Sequence, residues 1–110
     1  MPFINISTSA SVNDKGKLLE EITSLLSSLT NKSKKFVMAK LEDDLQMFFE
    51  DHHNCCYIEI KSIGSLNPSG MAKPMCDFIH EKIGIPLDKI YICFGDVSPS
   101  MWGWNGRTFG

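Results

Sequence analysis

The order strand, helix, strand occurs twice in this 110-residue chain, and this repetition limits the fold more than any other feature of the sequence. Short segments rich in β-branched and aromatic residues indicate strands, and apolar residues spaced three and four apart indicate helices. Strands are predicted at 3–7, 36–41, 55–61 and 90–94, and helices at 18–29 and 71–83. Two β-α-β units, spanning about 1–50 and 55–96, predict an α+β fold in which one four-stranded mixed sheet carries both helices on one face.

Local signals mark where each helix begins and ends. Ser11 or Asn13 is a candidate N-cap of the first helix, and the polar segment 30–33 ends it. Gly84 is a candidate C-terminal stop of the second helix. Pro74 lies within the second stripe, and we expect it either in the first helical turn or at a kink, because proline lacks the backbone N–H that an interior position donates.

Length and charge exclude several classes of protein. A chain of 110 residues is expected to form a single domain over 1–110, and its net charge of -2 lacks the basic surplus of a nucleic-acid-binding protein. It has neither the ~18 consecutive apolar residues of a membrane span nor the features of a signal peptide. We therefore expect a cytoplasmic chain with no nucleic-acid or membrane partner, while export without a leader stays open. The four cysteines include two neighbours, Cys55 and Cys56, which favours reduced thiols.

The outer strands of the predicted sheet indicate an oligomer. In both 36–41 and 90–94, each of the two alternating sets of side chains is largely apolar, as in sheets that are covered on both faces. The helices cover only one face, so we expect subunits of a homo-oligomer to cover the other. Trp102, Trp104 and Phe109 are candidate anchors near the C-terminus.

Pro2 is the residue of greatest chemical interest. Proline is a permissive second residue for initiator-methionine processing, so we expect removal of Met1 to leave a secondary amine at the start of a strand. An α-amino group has a pKa near ~8, and burial or a nearby lysine lowers that pKa by disfavouring the cation. Such an amine can act as a general base near neutral pH. If Met1 is retained, the same nitrogen is an amide, and Pro2 then only starts a strand.

Two other polar clusters have simpler explanations. The segment His52-His53-Asn54-Cys55-Cys56 contains zinc and copper ligand types, but it lacks a second ligand pair at a standard spacing. We expect a polar loop there and no metal. The acidic run Glu42-Asp43-Asp44 is expected to be a solvated loop. No cofactor is expected.

Several segments of the chain resemble one known family. They are Pro2-Phe3-Ile4, Thr30-Asn31-Lys32, Ser62-Ile63-Gly64, Asp88-Lys89-Ile90-Tyr91-Ile92 and Gly103-Trp104-Asn105-Gly106-Arg107-Thr108-Phe109. Together, and in this order, they closely resemble the macrophage migration inhibitory factor family, a branch of the tautomerase superfamily, over essentially the whole chain. The resemblance implies a homotrimer of β-α-β-β-α-β subunits with active sites between neighbours.

The resemblance also implies keto–enol tautomerisation of small aromatic α-keto acids such as phenylpyruvate, and of dopachrome-like compounds, without a cofactor. Pro2 matches the catalytic proline, which moves a proton between the two tautomeric positions. Lys32 matches the pocket lysine, whose ammonium would bind the substrate carboxylate and lower the pKa of Pro2. Ile63 matches the residue whose backbone lines the pocket, and Tyr91 would come from the adjacent subunit.

Four further residues complete the expected pocket. Phe3 and Phe109 would supply apolar surface around the substrate ring. Cys93 stands where the family usually has asparagine, and a thiol is a weaker hydrogen-bond donor. Trp102 stands where the family has valine, so its bulk would narrow the entrance or stack on an aromatic substrate. The Cys-x-x-Cys associated with redox activity in the vertebrate members is missing, so no redox function is expected.

Two alternative functions remain open at this point. The first is a non-catalytic protein of the same fold, either a cytokine-like signalling protein or another binding protein. The second keeps the proline chemistry but changes the substrate to a dicarboxylate enol. Arg107 is the only arginine in the chain, which gives little support for a bidentate clamp on a second carboxylate.

Overall fold

The two strand–helix–strand units form one sheet in the computed structural model, which describes residues 1–51 and 53–110. The first unit consists of β1 (Pro2–Thr8), α1 (Lys15–Thr30) and β2 (Met38–Glu42), and the second of β3 (Cys56–Ser62), α2 (Pro68–Ile83) and β4 (Ile90–Asp96). A short hairpin of β5 (Gly103–Trp104) and β6 (Arg107–Thr108) follows. Single 3-10 turns lie at Lys34–Phe36, Leu87–Lys89 and Pro99–Met101.

The strand order is β2-β1-β3-β4, with an antiparallel pair in the centre and a parallel strand at each edge. Each edge strand pairs in parallel with the first strand of its own unit, as a helical crossover requires. This arrangement confirms the predicted α+β fold with a four-stranded mixed sheet and two helices.

Alternation along the central strands places the core on one side of the sheet. Every second residue of β1 and β3 is buried, and Ile4 and Ile60 stand opposite each other in the ladder. These side chains pack against the apolar stripes of α1 and α2. The fully buried members of this core include Ile4, Ile6, Ile22, Leu26, Ile58, Ile60, Met75 and Ile79. Burying a side chain of this kind contributes roughly 1.5–3 kcal/mol, so this face anchors the sheet.

The helix boundaries follow the sequence signals except at two positions. Asp14, rather than Ser11 or Asn13, is the N-cap of α1, and its carboxylate accepts a hydrogen bond of 3.1 Å from the backbone N–H of Lys17. Gly84 ends α2 with φ of 84°, as predicted. Pro74 is the seventh residue of α2 and lies beyond the first turn, because the helix begins earlier than the apolar stripe, at Pro68.

The open face of the sheet is more polar than the outer strands suggest. The prediction of an apolar second face is wrong for the central strands, where this face carries Asn5, Ser7, Glu59 and Lys61 beside Phe3. At the edges, Met38 is 68% exposed and Tyr91 is 63% exposed, so the most exposed large apolar side chains of this face lie at its margins. Phe36 lies in a 3-10 turn, and β2 begins only at Met38.

The acidic run 42–44 is not the solvated loop that the sequence suggests. The Asp43 carboxylate accepts a bond of 3.0 Å from the backbone N–H of Val12, and it lies 3.3 Å from the ammonium of Lys15. The Ser11 hydroxyl donates to Asp44. The run therefore connects the end of β2 to the loop that precedes α1.

Neither α1 nor α2, nor any other helix within residues 1–51 and 53–110, has the length and apolar character needed to cross a bilayer.

Candidate functional site

Pro2 is buried at the start of β1, where it lines a cleft of about 390 Å³. The cleft is bordered by three segments that are remote in sequence: the N-terminus, residues 35–38 and residues 102–104. Its aromatic and charged members are Phe3, Lys35, Phe36, Trp102 and Trp104. A cleft of this size with aromatic walls and a cation suits a small aromatic anion.

Strand pairing brings residues 36–38 to the cleft. β1 and β2 are parallel neighbours, and Phe3 stands beside Met38 in their register. The 3-10 turn at Lys34–Phe36, which directly precedes β2, therefore lies beside the N-terminus. Lys35 and Phe36 reach the cleft in this way, and the Lys35 ammonium lies 5.1 Å from the centre of the Phe36 ring.

A tight hairpin brings the C-terminal aromatic residues to the same place. Asn105 and Gly106 form the turn between β5 and β6 with φ of 55° and 82°, the positive values that a two-residue hairpin turn of type I′ needs. The Trp104 and Phe109 rings lie 6.2 Å apart and nearly parallel. The backbone N–H of Phe109 donates to the carbonyl of Trp102 at 3.1 Å, which ties this segment together.

The amino terminus lies in surroundings that disfavour a positive charge. Burial, and secondly the ammonium of Lys32, lower the pKa of the Met1 amino group below its ordinary value of 8.0. Lys32 is half-buried in the turn after α1. It acts on the terminus through its charge, whereas Lys35 is the lysine that lines the cleft wall.

Ile63 lies one residue beyond Ser62, which stands directly opposite Pro2 in the β1–β3 ladder. Two hydrogen bonds hold this corner against the end of β4. The Gly64 N–H donates to the Asp96 carboxylate at 3.0 Å, and the Val97 N–H donates to the Ser62 carbonyl at 2.9 Å. Ile63 itself is half-buried.

Tyr91 does not approach Pro2 within the single chain. Pro2 is level with Ser62 and Asp96, whereas Tyr91 pairs with Tyr57, five residue positions away along β4. Five positions correspond to about 17 Å along the strand direction. The Tyr91 ring instead lies 4.5 Å from the ring of Phe49.

Cys93 is exposed on the open face of β4, three positions from the level of Pro2, or about 10 Å along the strand. It stands beside Glu59 in the register. Burial, and secondly the neighbouring Cys93, raise the pKa of the Tyr57 phenol above its ordinary value.

Of the eight residues predicted for the site, Pro2, Phe3 and Trp102 line the cleft, and Lys32 acts on it electrostatically. Phe109 stacks on Trp104 at its border and is 41% exposed. The prediction omitted Lys35, Phe36, Met38 and Trp104, which also line the cleft. The run of lysines at positions 32, 34 and 35 after the first helix is the sequence signal that could have identified Lys35. Trp104 was predicted only as a candidate anchor.

The thiols and histidines form no metal site among the residues described. No group of three or more potential ligands comes together there, and His52 lies outside the described residues. Cys55 and Cys56 are both buried, and burial is the main reason that the pKa of Cys56 is raised to about 12. Its thiol is therefore scarcely ionised at neutral pH, which makes it a poor nucleophile.

Comparison with known proteins agrees with this architecture. The family model described as "Macrophage migration inhibitory factor (MIF)" matches residues 1–110. The chain is 32% identical to the macrophage migration inhibitory factor of Xenopus tropicalis over 96 residues, which cover 84% of each chain.

The fold is also similar to those of solved structures from the same family. A macrophage migration inhibitory factor homologue from Prochlorococcus marinus superimposes with a TM-score of 0.93 at 42% identity, covering 98% of this chain and 99% of that one. The macrophage migration inhibitory factor from Trichinella spiralis gives a TM-score of 0.91 at 26% identity, covering 97% and 99%. The chain belongs to the macrophage migration inhibitory factor family, within the tautomerase superfamily.

Proposed function

We propose that this protein is a keto–enol tautomerase for small aromatic α-keto acids of the phenylpyruvate type, with the N-terminal nitrogen of Pro2 as its general acid and base. The observation that carries the proposal is the position of Pro2, which is buried at the start of β1 and lines a cleft with aromatic walls and a lysine. Family membership supports isomerase chemistry of this kind.

The proposed reaction needs only one group that accepts and returns a proton. The neutral amine of Pro2 takes a proton from the carbon next to the keto group, so a C–H bond breaks and an N–H bond forms. The electron pair becomes the carbon–carbon double bond, and the carbonyl oxygen receives a proton from the ammonium. The amine is neutral again, and no electrons leave the substrate, so the balance requires no cofactor.

The environment at the terminus suits this chemistry. The burial and the Lys32 charge that lower the pKa of the Met1 amine act on the same corner of the molecule once Met1 is removed. A lowered pKa leaves more of the amine neutral at physiological pH, and the neutral form is the base. Lys32 and Lys35 also provide positive charge for the substrate carboxylate.

We propose further that the working form is a homotrimer in which Tyr91 and Cys93 complete the site of a neighbouring subunit. The register separates Tyr91 from Pro2 by about 17 Å along the sheet, so a shared site requires a second chain. The apolar margins of the open face support this assembly, because Met38 and Tyr91 are more than 60% exposed in the single chain.

The deciding experiment combines intact mass with turnover. Mass spectrometry establishes that Met1 is removed, and ultraviolet absorbance follows the loss of enol phenylpyruvate. We expect Pro2→Gly to lower kcat/KM at least a hundredfold, the usual scale of general acid–base catalysis. Pro68→Gly, a proline change at the first position of α2 and away from the cleft, should keep the activity.

Two outcomes would contradict the proposal. One is equal turnover by the wild type and Pro2→Gly. The other is no turnover by a protein with a free Pro2 terminus, which would favour the non-catalytic binding protein. Size-exclusion chromatography with light scattering tests the trimer, and a stable monomer with full activity would exclude a site shared between subunits.

A further inference from the structure

A second cleft, of about 450 Å³, adjoins the cleft that contains Pro2. The two clefts share Phe3, Trp102 and Gly103, so they adjoin at these residues. Val97 and Met101 complete the apolar part of the second cleft. Lys61 is the single charged residue among the six described residues that line it.

The sheet directs Lys61 toward this cleft. Ile60 and Ser62 are buried on the helix side of β3, so Lys61 between them points to the open face, as Phe3 does on β1. Lys61 stands directly opposite Phe3 in the antiparallel ladder, where facing Cβ atoms are about 5 Å apart. The Lys61 stem is therefore a direct neighbour of the residue that follows Pro2.

The other neighbour of Lys61 leaves space for it. In the parallel pairing with β4, Lys61 stands beside Gly95, which has no side chain. A Cβ atom at Gly95 would lie 3.5 Å from the Cγ of Lys61, so the stem runs across this glycine in van der Waals contact. A larger residue at position 95 would restrict the lysine stem.

The nearby carboxylates have other partners. Asp96 accepts the N–H of Gly64 at 3.0 Å, and Glu59 accepts the hydroxyl of Tyr57 at 3.5 Å. Lys61 takes part in none of the ion pairs found among the described residues. Its ammonium therefore has no carboxylate counter-ion among the residues that the structure describes, and it borders an apolar cleft.

We propose that Lys61 is a specificity-determining residue that binds a second anionic group of the substrate. The preferred substrate class is then an apolar or aromatic α-keto acid with a further carboxylate at the end remote from the keto acid. This inference rests on the proposed function, since it places the reacting carbon at Pro2. In this arrangement one carboxylate faces Lys32 and Lys35. The body of the substrate extends past Phe3 and Trp102, so that the other carboxylate reaches Lys61.

Lysine and arginine bind a carboxylate in different ways. The absence of a second arginine argues against a bidentate clamp, but an ammonium binds a carboxylate as a point charge with freedom in direction. A flexible stem over Gly95 allows that charge to follow acids of different lengths.

The test compares substrates that differ by one carboxylate, the enol forms of phenylpyruvate and 4-carboxyphenylpyruvate. We expect Lys61→Met to raise the ratio of the dicarboxylate KM to the monocarboxylate KM about tenfold, the loss of one charge-assisted contact of about 1.4 kcal/mol. Lys61→Arg should restore most of the wild-type ratio. Lys40→Met is the matched control, because Lys40 is an exposed lysine of β2 that lines neither cleft.

Binding measured without turnover separates this inference from the proposed function. Cinnamate and 4-carboxycinnamate have no enolisable keto group, and calorimetry gives their Kd values for the same variants. Suppose that the wild type turns over neither keto acid but binds 4-carboxycinnamate more tightly than cinnamate, and that Lys61→Met lacks this preference. The catalytic proposal then fails, and the role of Lys61 stands. Equal Kd values for the two cinnamates in the wild type, or an unchanged ratio in Lys61→Met, would overturn the role of Lys61.

Discussion

Ser62 lies directly opposite Pro2 in the ladder of β1 and β3, and its hydroxyl is buried without a hydrogen-bond partner among the described residues. A buried hydroxyl of this kind is a cost to the folded state, because it has left water and gained nothing in return. The corner that holds the candidate base therefore carries a polar group that does not stabilise the fold.

We predict that Ser62→Ala leaves the melting temperature unchanged or raises it. Thr8→Val is the contrasting variant at the other end of the same ladder, where the buried Thr8 hydroxyl donates to the Cys55 carbonyl at 2.9 Å and accepts from the Ala10 N–H. Losing these bonds should cost about 1–3 kcal/mol. Calorimetry on both variants measures the two changes in stability. An equal loss of stability in Ser62→Ala and Thr8→Val would contradict the prediction and would mean that the Ser62 hydroxyl has a hydrogen-bond partner in solution.

The pH dependence of turnover should report the lowered pKa at the terminus. The base must be neutral, so kcat/KM should rise with pH and level off above a midpoint lower than the ordinary pKa of an exposed N-terminal amine. Removing the Lys32 charge in Lys32→Met takes away one of the two causes of the lowering, so the midpoint should move to higher pH. The Lys40→Met profile should overlay that of the wild type, and a Lys32→Met midpoint that does not move would contradict the electrostatic role of Lys32.

An ion pair between Lys89 and Glu50 should stabilise the segment that supports Tyr91. The Lys89 ammonium lies 3.2 Å from the Glu50 carboxylate and 5.1 Å from the centre of the Phe49 ring, and the lysine side chain is only 5% exposed. Glu50→Gln leaves this buried ammonium without its counter-ion. We expect the free energy of unfolding to fall by about 1 kcal/mol, since the carboxylate side of the pair is open to solvent.

Lys89→Met should cost less than Glu50→Gln, because methionine keeps an apolar stem of similar length and removes the charge that needs a partner. Denaturant titration at one fixed protein concentration measures both. The exposed pair of Lys73 and Asp77, with atoms 2.8 Å apart on α2, is the control. Asp77→Asn should leave the free energy of unfolding almost unchanged, because this pair is exposed to solvent. A larger loss for Lys89→Met than for Glu50→Gln would refute this account of the pair.

Asp43 should make stability depend on pH in the acid range. Its hydrogen bond from the Val12 N–H, and then the Lys15 ammonium, hold the pKa of this carboxyl below its ordinary value of 3.8. A carboxyl whose pKa is lower in the folded state stabilises that state above 3.8, and the stabilisation is lost as the pH falls through the lowered value. We therefore expect Asp43→Asn to lower the melting temperature at neutral pH and to match the wild type at strongly acidic pH. Glu81→Gln, on the exposed side of α2, is the control, and its melting temperature should differ little from that of the wild type at either pH. A melting temperature of Asp43→Asn that stays below that of the wild type in acid would contradict the prediction.

Local signals in the sequence were sufficient for the four strands of the sheet, the two helices and their order, but not for the short hairpin of β5 and β6. Periodicity identified all four strands of the sheet and both helices. The end of α2 at Gly84 was also predictable, because glycine readily adopts the positive φ, here 84°, that ends a helix. The prediction of a helix boundary was less accurate where several nearby residues could each serve as the N-cap. Asp14 caps α1 in preference to Ser11 and Asn13, although all three are residue types that cap helices.

The pairing of distant segments was decided only by the tertiary structure. Nothing near Lys61 in the sequence indicates that it faces Phe3, or that Lys35 and Trp104 border the same cleft as Pro2. These neighbours result from the register of β1 against β3 and from the return of the C-terminal hairpin, both set by the packing of the whole core. The sequence by itself determined the strand–helix–strand repeat and a candidate base at Pro2, because periodicity and chain position are local properties. The tertiary structure decided which charges surround that base, because charge placement depends on contacts between residues far apart in the chain.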